Sequence, residues 1–174
     1  MQIDLYKKTF GDYFNSEDFN NQIQHATKLV NDSNNIFFIG NGGSNSICSH
    51  MYQDYGKIGR KKTYCFSDPS LITCYSNDYG YDKAIEEWLK IYFSEGDILI
   101  SISSSGKSSN ILNASKFVKT KQGNLITLSG FDSENPLRKM GNVNFHIPIA
   151  HYGIVECYHQ VILHMILDML YANK

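Results

Sequence analysis

Asp97-Ile98-Leu99-Ile100-Ser101-Ile102-Ser103-Ser104-Ser105-Gly106-Lys107-Ser108-Ser109-Asn110 decides how this 174-residue chain is read. Asp97 to Ile102 is an apolar run of strand length, of the kind found where both faces of a sheet are covered. Asn110 to Lys119 is amphipathic at helical spacing. Between them lies a turn crowded with hydroxyls. A helix N-terminus carries unpaired backbone N–H groups and the positive end of the helix dipole. Serine hydroxyls aimed at the same spot make a seat for a phosphate without a nucleotide loop built on lysine. A plain serine-rich loop with an N-cap is the other reading of these residues alone.

The same alternation extends outward in both directions. Residues 16–32 have helical spacing, with Phe19, Ile23, Ala26, Leu29 and Val30 on one side. Ile36-Phe37-Phe38-Ile39 reads as a buried strand. It is followed by Gly40-Asn41-Gly42-Gly43-Ser44 and a helix to about Tyr55, with Gly56 and Gly59 expected to end it. Residues 63–66 form a further strand, and Asp68-Pro69-Ser70 a helix start with proline in the first turn. Asn77-Asp78-Tyr79-Gly80 reads as polar punctuation, with Asp78 capping a helix over 79–93. Strands over 124–128 and 143–147 and a helix over 152–171 complete the chain. Strand and helix in alternation predict one α/β domain, a doubly wound, mostly parallel five-stranded sheet flanked by helices, preceded by an N-terminal helical segment. Ligands of such sheets bind beyond the carboxyl ends of the strands, where both the glycine-rich and the serine-rich turns fall.

Composition narrows the partners. An apolar share of 42% supports a packed core. A net charge of −1, with no basic stretch, offers nothing to nucleic acid or to an anionic membrane. No apolar run reaches the ~18–20 residues of a membrane span, and residues 1–8 lack the apolar region of a signal peptide. A cytoplasmic protein is expected. Cys48, Cys65, Cys74 and Cys157 show no C-x-x-C spacing and are expected as reduced thiols.

Two constellations carry the chemistry. His50 and Asp54 stand four apart on one helix, a spacing that suits metal binding, acid–base work or a surface pair. Glu156, Gln160 and His164 share a stripe of the last helix, where an ionisable group needs a partner if buried.

Gly40-Asn41-Gly42-Gly43-Ser44, Asn77-Asp78-Tyr79-Gly80 and Ile102-Ser103-Ser104-Ser105-Gly106-Lys107-Ser108, in this order and spacing, resemble the sugar isomerase (SIS) domain family, and within it the phosphoheptose isomerases. The resemblance spans nearly the whole chain. It implies a flavodoxin-like three-layer sandwich and aldose–ketose isomerisation of sedoheptulose 7-phosphate, for heptose and surface-polysaccharide synthesis. It implies that Ser103, Ser104, Ser105 and Ser108 hold the sugar phosphate. Asn41, Gly42, Gly43 and Ser44, with Asn77, Asp78 and Glu156, would touch the sugar chain. His50, Asp54, Glu156 and His164 fall on the family's metal and catalytic positions, with Asp54 as base and His164 as acid. Zn²⁺ and a homotetramer with sites at subunit interfaces are implied in the same way. Two positions depart from the family pattern. Asp54 stands where glutamate is usual, an arm shorter by about 1.5 Å. Glu156 stands where glutamine is usual. These departures leave room for two rivals, an isomerase of another phosphosugar and a non-catalytic phosphosugar-binding protein.

Overall fold

The computed structural model of the chain describes residues 13–172, so the reading of residues 1–8 lies outside the described residues. Five strands, β1 (Asn35–Ile39), β2 (Lys62–Cys65), β3 (Ile98–Ser103), β4 (Asn124–Gly130) and β5 (Val143–Ile147), form one sheet in the order β2-β1-β3-β4-β5. Every pairing is parallel. The connections are α1 (Glu17–Asp32) before β1, α2 (Gly43–Lys57), then α3 (Pro69–Tyr79) with α4 (Tyr81–Tyr92), and α5 (Ser109–Thr120). A 3₁₀ turn, Leu137–Lys139, precedes β5, and α6 (Tyr152–Ala172) follows it. No helix among the described residues is long and apolar enough to cross a membrane.

The strands are buried on both faces because alternate side chains enter different cores. Ile36 and Phe38 of β1, with Ile98, Ile100 and Ile102 of β3, pack against α1, α2 and α6. Phe37, Ile39 and Leu99 pack against Ala84, Ile85, Trp88 and Leu89 of α4 and Ile111, Ala114 and Val118 of α5. That is why strands of this sheet read as continuous apolar runs. β3 is central and wholly buried, and Ser101 Oγ on it meets Ser115 Oγ of α5 at 2.9 Å.

Local signals were legible at most ends. Ser16 caps α1 by accepting from Phe19 N, and Asp68 caps α3 by accepting from Ser70 N and Leu71 N. Two boundaries differ from expectation. α2 runs through Gly56 to Lys57, where the Ile58 N–H still donates to Asp54 O at 2.8 Å and closes the last turn. Asp78 is not an N-cap. It lies in the last turn of α3, and Gly80, at φ +78°, breaks the chain between α3 and α4 instead. A glycine reaches that backbone region without steric cost, which a capping side chain cannot provide. Among the cysteines, all free, Cys48 is buried while Cys74 and Cys157 are exposed.

Candidate active site

In a sheet of this order the strands on either side of β1/β3 send their connections to opposite faces, opening a crevice at their carboxyl ends. A cavity of about 250 Å³ occupies it, lined by Asn41, Gly42, Gly43 and Ser44 after β1, Ile102 to Ser105 and Ser108 after β3, and Tyr152 and Glu156 of α6. The N-termini of α2, α5 and α6 therefore converge on one space, each presenting the positive end of its dipole.

The serine turn is held in shape by contacts on both of its sides. Gly106, at φ +64°, lets the chain fold back so that its N–H donates to Ser103 O at 2.9 Å. A Cβ there would collide with Asn135, whose own Cβ is 2.8 Å from that position. Asn135 is fully buried; its amide donates to the Asp132 and Gly130 carbonyls, and its oxygen accepts from Arg138 N. Ser103 Oγ and Ser108 Oγ lie 3.3 Å apart, and Ser105 Oγ accepts from Lys107 N. Ser104 Oγ is buried and has no protein partner. A buried hydroxyl without a partner is costly unless something else fills the role, and this one lines the cavity. Lys107 turns away to an ion pair with Asp132 at 3.0 Å.

The glycine-rich turn is tied to the serine turn through Asn41, which the sequence suggested as a sugar contact, and through Asn110 and Tyr81, which it did not assign to the site. Asn41 and Asn110 exchange a reciprocal pair of amide hydrogen bonds, both 2.9 Å, and Tyr81 Oη donates to Asn41 Oδ1 at 2.8 Å. Asn41 thus lines the cavity with its amide already engaged, clamping the ends of β1 and β3. Asn110 is the residue that opens the amphipathic stretch, and only its burial reveals this role.

Glu156 rises from the second turn of α6 against the start of α2. A Cβ on Gly43 would lie 2.6 Å from Glu156 Oε2, so glycine at this position is what admits the carboxylate. Asn77 and Asp78 do not join this cavity. They are exposed on α3, where Asn77 Nδ2 donates to Asp78 Oδ1 at 2.9 Å.

Two turns further along both helices lies the second constellation. His50 Nε2 and Asp54 Oδ2 are 3.1 Å apart, and the His50 and His164 rings lie 5.4 Å centre to centre. One ligand atom from each of His50, Asp54 and His164 falls within 4.8 Å of the others. Two imidazoles and a carboxylate at this separation fit a divalent cation such as Zn²⁺. Glu156, expected beside them, is not in this trio.

The architecture and the paired phosphate-turn and His/Asp constellations define a sugar-phosphate protein of the α/β class. Residues 13–130 match the SIS domain family, and the chain belongs to that family. Its relatives include phosphoheptose isomerases. That of Vibrio cholerae is 32% identical over 170 residues, covering 90% of this chain and 87% of its own. That of Fusobacterium nucleatum is 34% identical over 151 residues, covering 82% and 77%. The solved phosphoheptose isomerase of Neisseria gonorrhoeae superposes with a TM-score of 0.80 at 22% identity, over 98% of this chain and 94% of that one, and shares the fold.

Proposed function

We infer that this chain is a phosphoheptose isomerase, an aldose–ketose isomerase that interconverts sedoheptulose 7-phosphate and the corresponding aldose, D-glycero-D-manno-heptose 7-phosphate. The observation that carries the reading is the spacing of the two constellations. Gly43 to His50 and Glu156 to His164 are seven and eight helical residues, or about 10–12 Å at 1.5 Å per residue. An extended seven-carbon chain, with C–C bonds of about 1.5 Å, measures about 10 Å from its phosphate to C1. A heptose phosphate seated on Ser103, Ser104, Ser105 and Ser108 therefore brings its C1–C2 end to His50, Asp54 and His164.

Isomerisation moves one proton between adjacent carbons through an enediol. Asp54 is the proposed base. One of its oxygens is held by His50, and a carboxylate retains a second to take the proton alpha to the carbonyl. His164 is the proposed acid at the carbonyl oxygen. The phosphate contributes binding energy remote from the reacting carbons. His50, Asp54 and His164 also fit Zn²⁺; a bound ion would supply carbonyl polarisation and stabilise enediolate charge in place of the acid–base roles of Asp54 and His164, which belong to the metal-free site. We propose a cytoplasmic homotetramer, in keeping with the family resemblance. Tyr81 and Tyr152, both more than half exposed near the turns, offer apolar surface for a neighbouring subunit.

The test is a coupled assay with sedoheptulose 7-phosphate on metal-stripped protein, with and without added Zn²⁺, beside pentose and hexose phosphates. Turnover of the heptose is expected, and Asp54→Asn and His164→Ala each lower it by ~10² or more. A folded protein that prefers another phosphosugar, or binds the heptose without turnover, overturns the reading.

A further inference from the structure

The serine turn rests on the segment that follows β4. Gly130 N donates to Ser104 O at 2.9 Å, and Leu137 N donates to Gly106 O at 3.2 Å. A planar trans peptide points its N–H opposite to its carbonyl. Holding Ser104 O against Gly130 therefore aims the Ser105 N–H away from β4. Holding Gly106 O against Leu137 aims the Lys107 N–H away from the 3₁₀ turn, where Ser105 Oγ accepts it. Two donors outside the turn thus set its peptide planes and the position of one of its hydroxyls.

One buried side chain fixes both donors. Asn135 Nδ2 donates to Asp132 O at 2.7 Å and to Gly130 O at 3.2 Å, and Asn135 Oδ1 accepts from Arg138 N at 3.0 Å. Its two ends grip the residues beside the two donors, Gly130 itself and the neighbour of Leu137. The amide also fills the space that a Cβ at Gly106 would need, so it lies directly under the turn. Behind it, Ser129 Oγ lies 3.3 Å from Asn135 Nδ2 and 3.1 Å from His146 Nδ1. Asn135, Ser129 and His146 are all buried. Polar groups that are buried in this way are held by their partners in one arrangement.

We propose that Asn135 is a positioning residue of the phosphate seat: it does not line the cavity, and it holds the serine turn in the shape that fits a phosphate. The inference rests on reading that turn as the phosphate seat. It makes recognition of a phosphorylated sugar depend on the segment after β4 as well as on the serines themselves.

The probe is inorganic phosphate, titrated by calorimetry into the full chain, beside steady-state kinetics with sedoheptulose 7-phosphate. In Asn135→Ala the Kd for phosphate and the KM for the heptose phosphate are expected to rise together by about 10-fold, with kcat within about 3-fold of the unaltered chain. A general loss of structure would lower the active fraction, and so kcat, without this split. Asn135→Asp keeps the volume and the acceptor for Arg138 N but loses both donors. It is expected to weaken phosphate as Asn135→Ala does, and it reads the same step where the alanine variant does not fold. Glu134→Ala, exposed on the same segment, leaves both constants unchanged. Unchanged phosphate affinity in a folded Asn135→Ala or Asn135→Asp, even with a lowered Tm, overturns the assignment. An unaltered chain that binds no phosphate overturns it too, because the seat is then misread. Phosphate affinity lost in Asn135→Ala, in a chain that binds phosphate but does not turn over the heptose, supports the assignment while the isomerase reading fails.

Discussion

His159 shows how one side chain couples the core to pH. It is fully buried on α6, where its Nε2–H donates to the Ser129 carbonyl at 3.2 Å. Burial is the main cause that pushes its pKa from 6.5 down to about 4. The native state keeps it neutral, whereas the unfolded chain takes a proton below pH 6.5. Stability from this group is thus complete above pH 6.5 and lost as pH falls toward 4, by up to roughly 3 kcal/mol. His146, also lowered by burial, acts in the same direction. Urea unfolding at pH 4.5, 5.5 and 6.5 checks this, and His159→Gln, which keeps a donor but does not titrate, is expected to flatten the dependence. At Gly43 the constraint is steric. Gly43→Ala pushes the Glu156 carboxylate out of the cavity, and a displacement near 1 Å costs up to ~10²-fold in rate. Steady-state kinetics should show that loss with an unchanged circular dichroism spectrum.

Among the elements, α3 depends most on its cap. It has no fully buried residue, and Leu71, Ile72 and Tyr75 only partly enter the core. Asp68, accepting at 2.8 and 3.1 Å from Ser70 N and Leu71 N, supplies what packing does not. Asp68→Ala is expected to cost about 1 kcal/mol, and Asp68→Asn much less, in denaturant unfolding. The helices flanking the site behave differently. α2 and α6 both start at the cavity and run away from it against the same face of the sheet, so residues two turns in on each arrive side by side. This is how His164, more than a hundred positions along the chain from His50 and Asp54, joins them in one group.

At the scale of the whole molecule, the proposed cation at His50, Asp54 and His164 would tie α2 to α6. Ligands that bind only the folded state stabilise it by about 2.7 kcal/mol at a concentration 100 times Kd. For a chain of this size that is a rise in Tm of about 5–10 °C. Saturating Zn²⁺ should produce it in thermal unfolding, and His50→Ala should abolish it.

The alternation of β-rich apolar runs with helical periods was enough to determine the five strands and their parallel pairing, because strands covered on both faces have few other ways to bury themselves. The two turns were legible for the same local reason: serine, glycine and asparagine after a strand leave the backbone N–H groups of the next helix available. What the sequence could not decide were properties of packing across distance. Asp78 looked like a cap because a polar residue before tyrosine is locally plausible, yet the helix from Pro69 continued through it and Gly80 took the break. Asn110 and Asn135 gave no signal, since an asparagine in a turn is common and only burial makes its amide structural. Glu156, Gln160 and His164 shared one stripe in the sequence. Tertiary structure alone decided that Gly43 admits the first to the phosphate cavity while Met51 and His164 hold the second, because one chain register says nothing of which facing side chain leaves room.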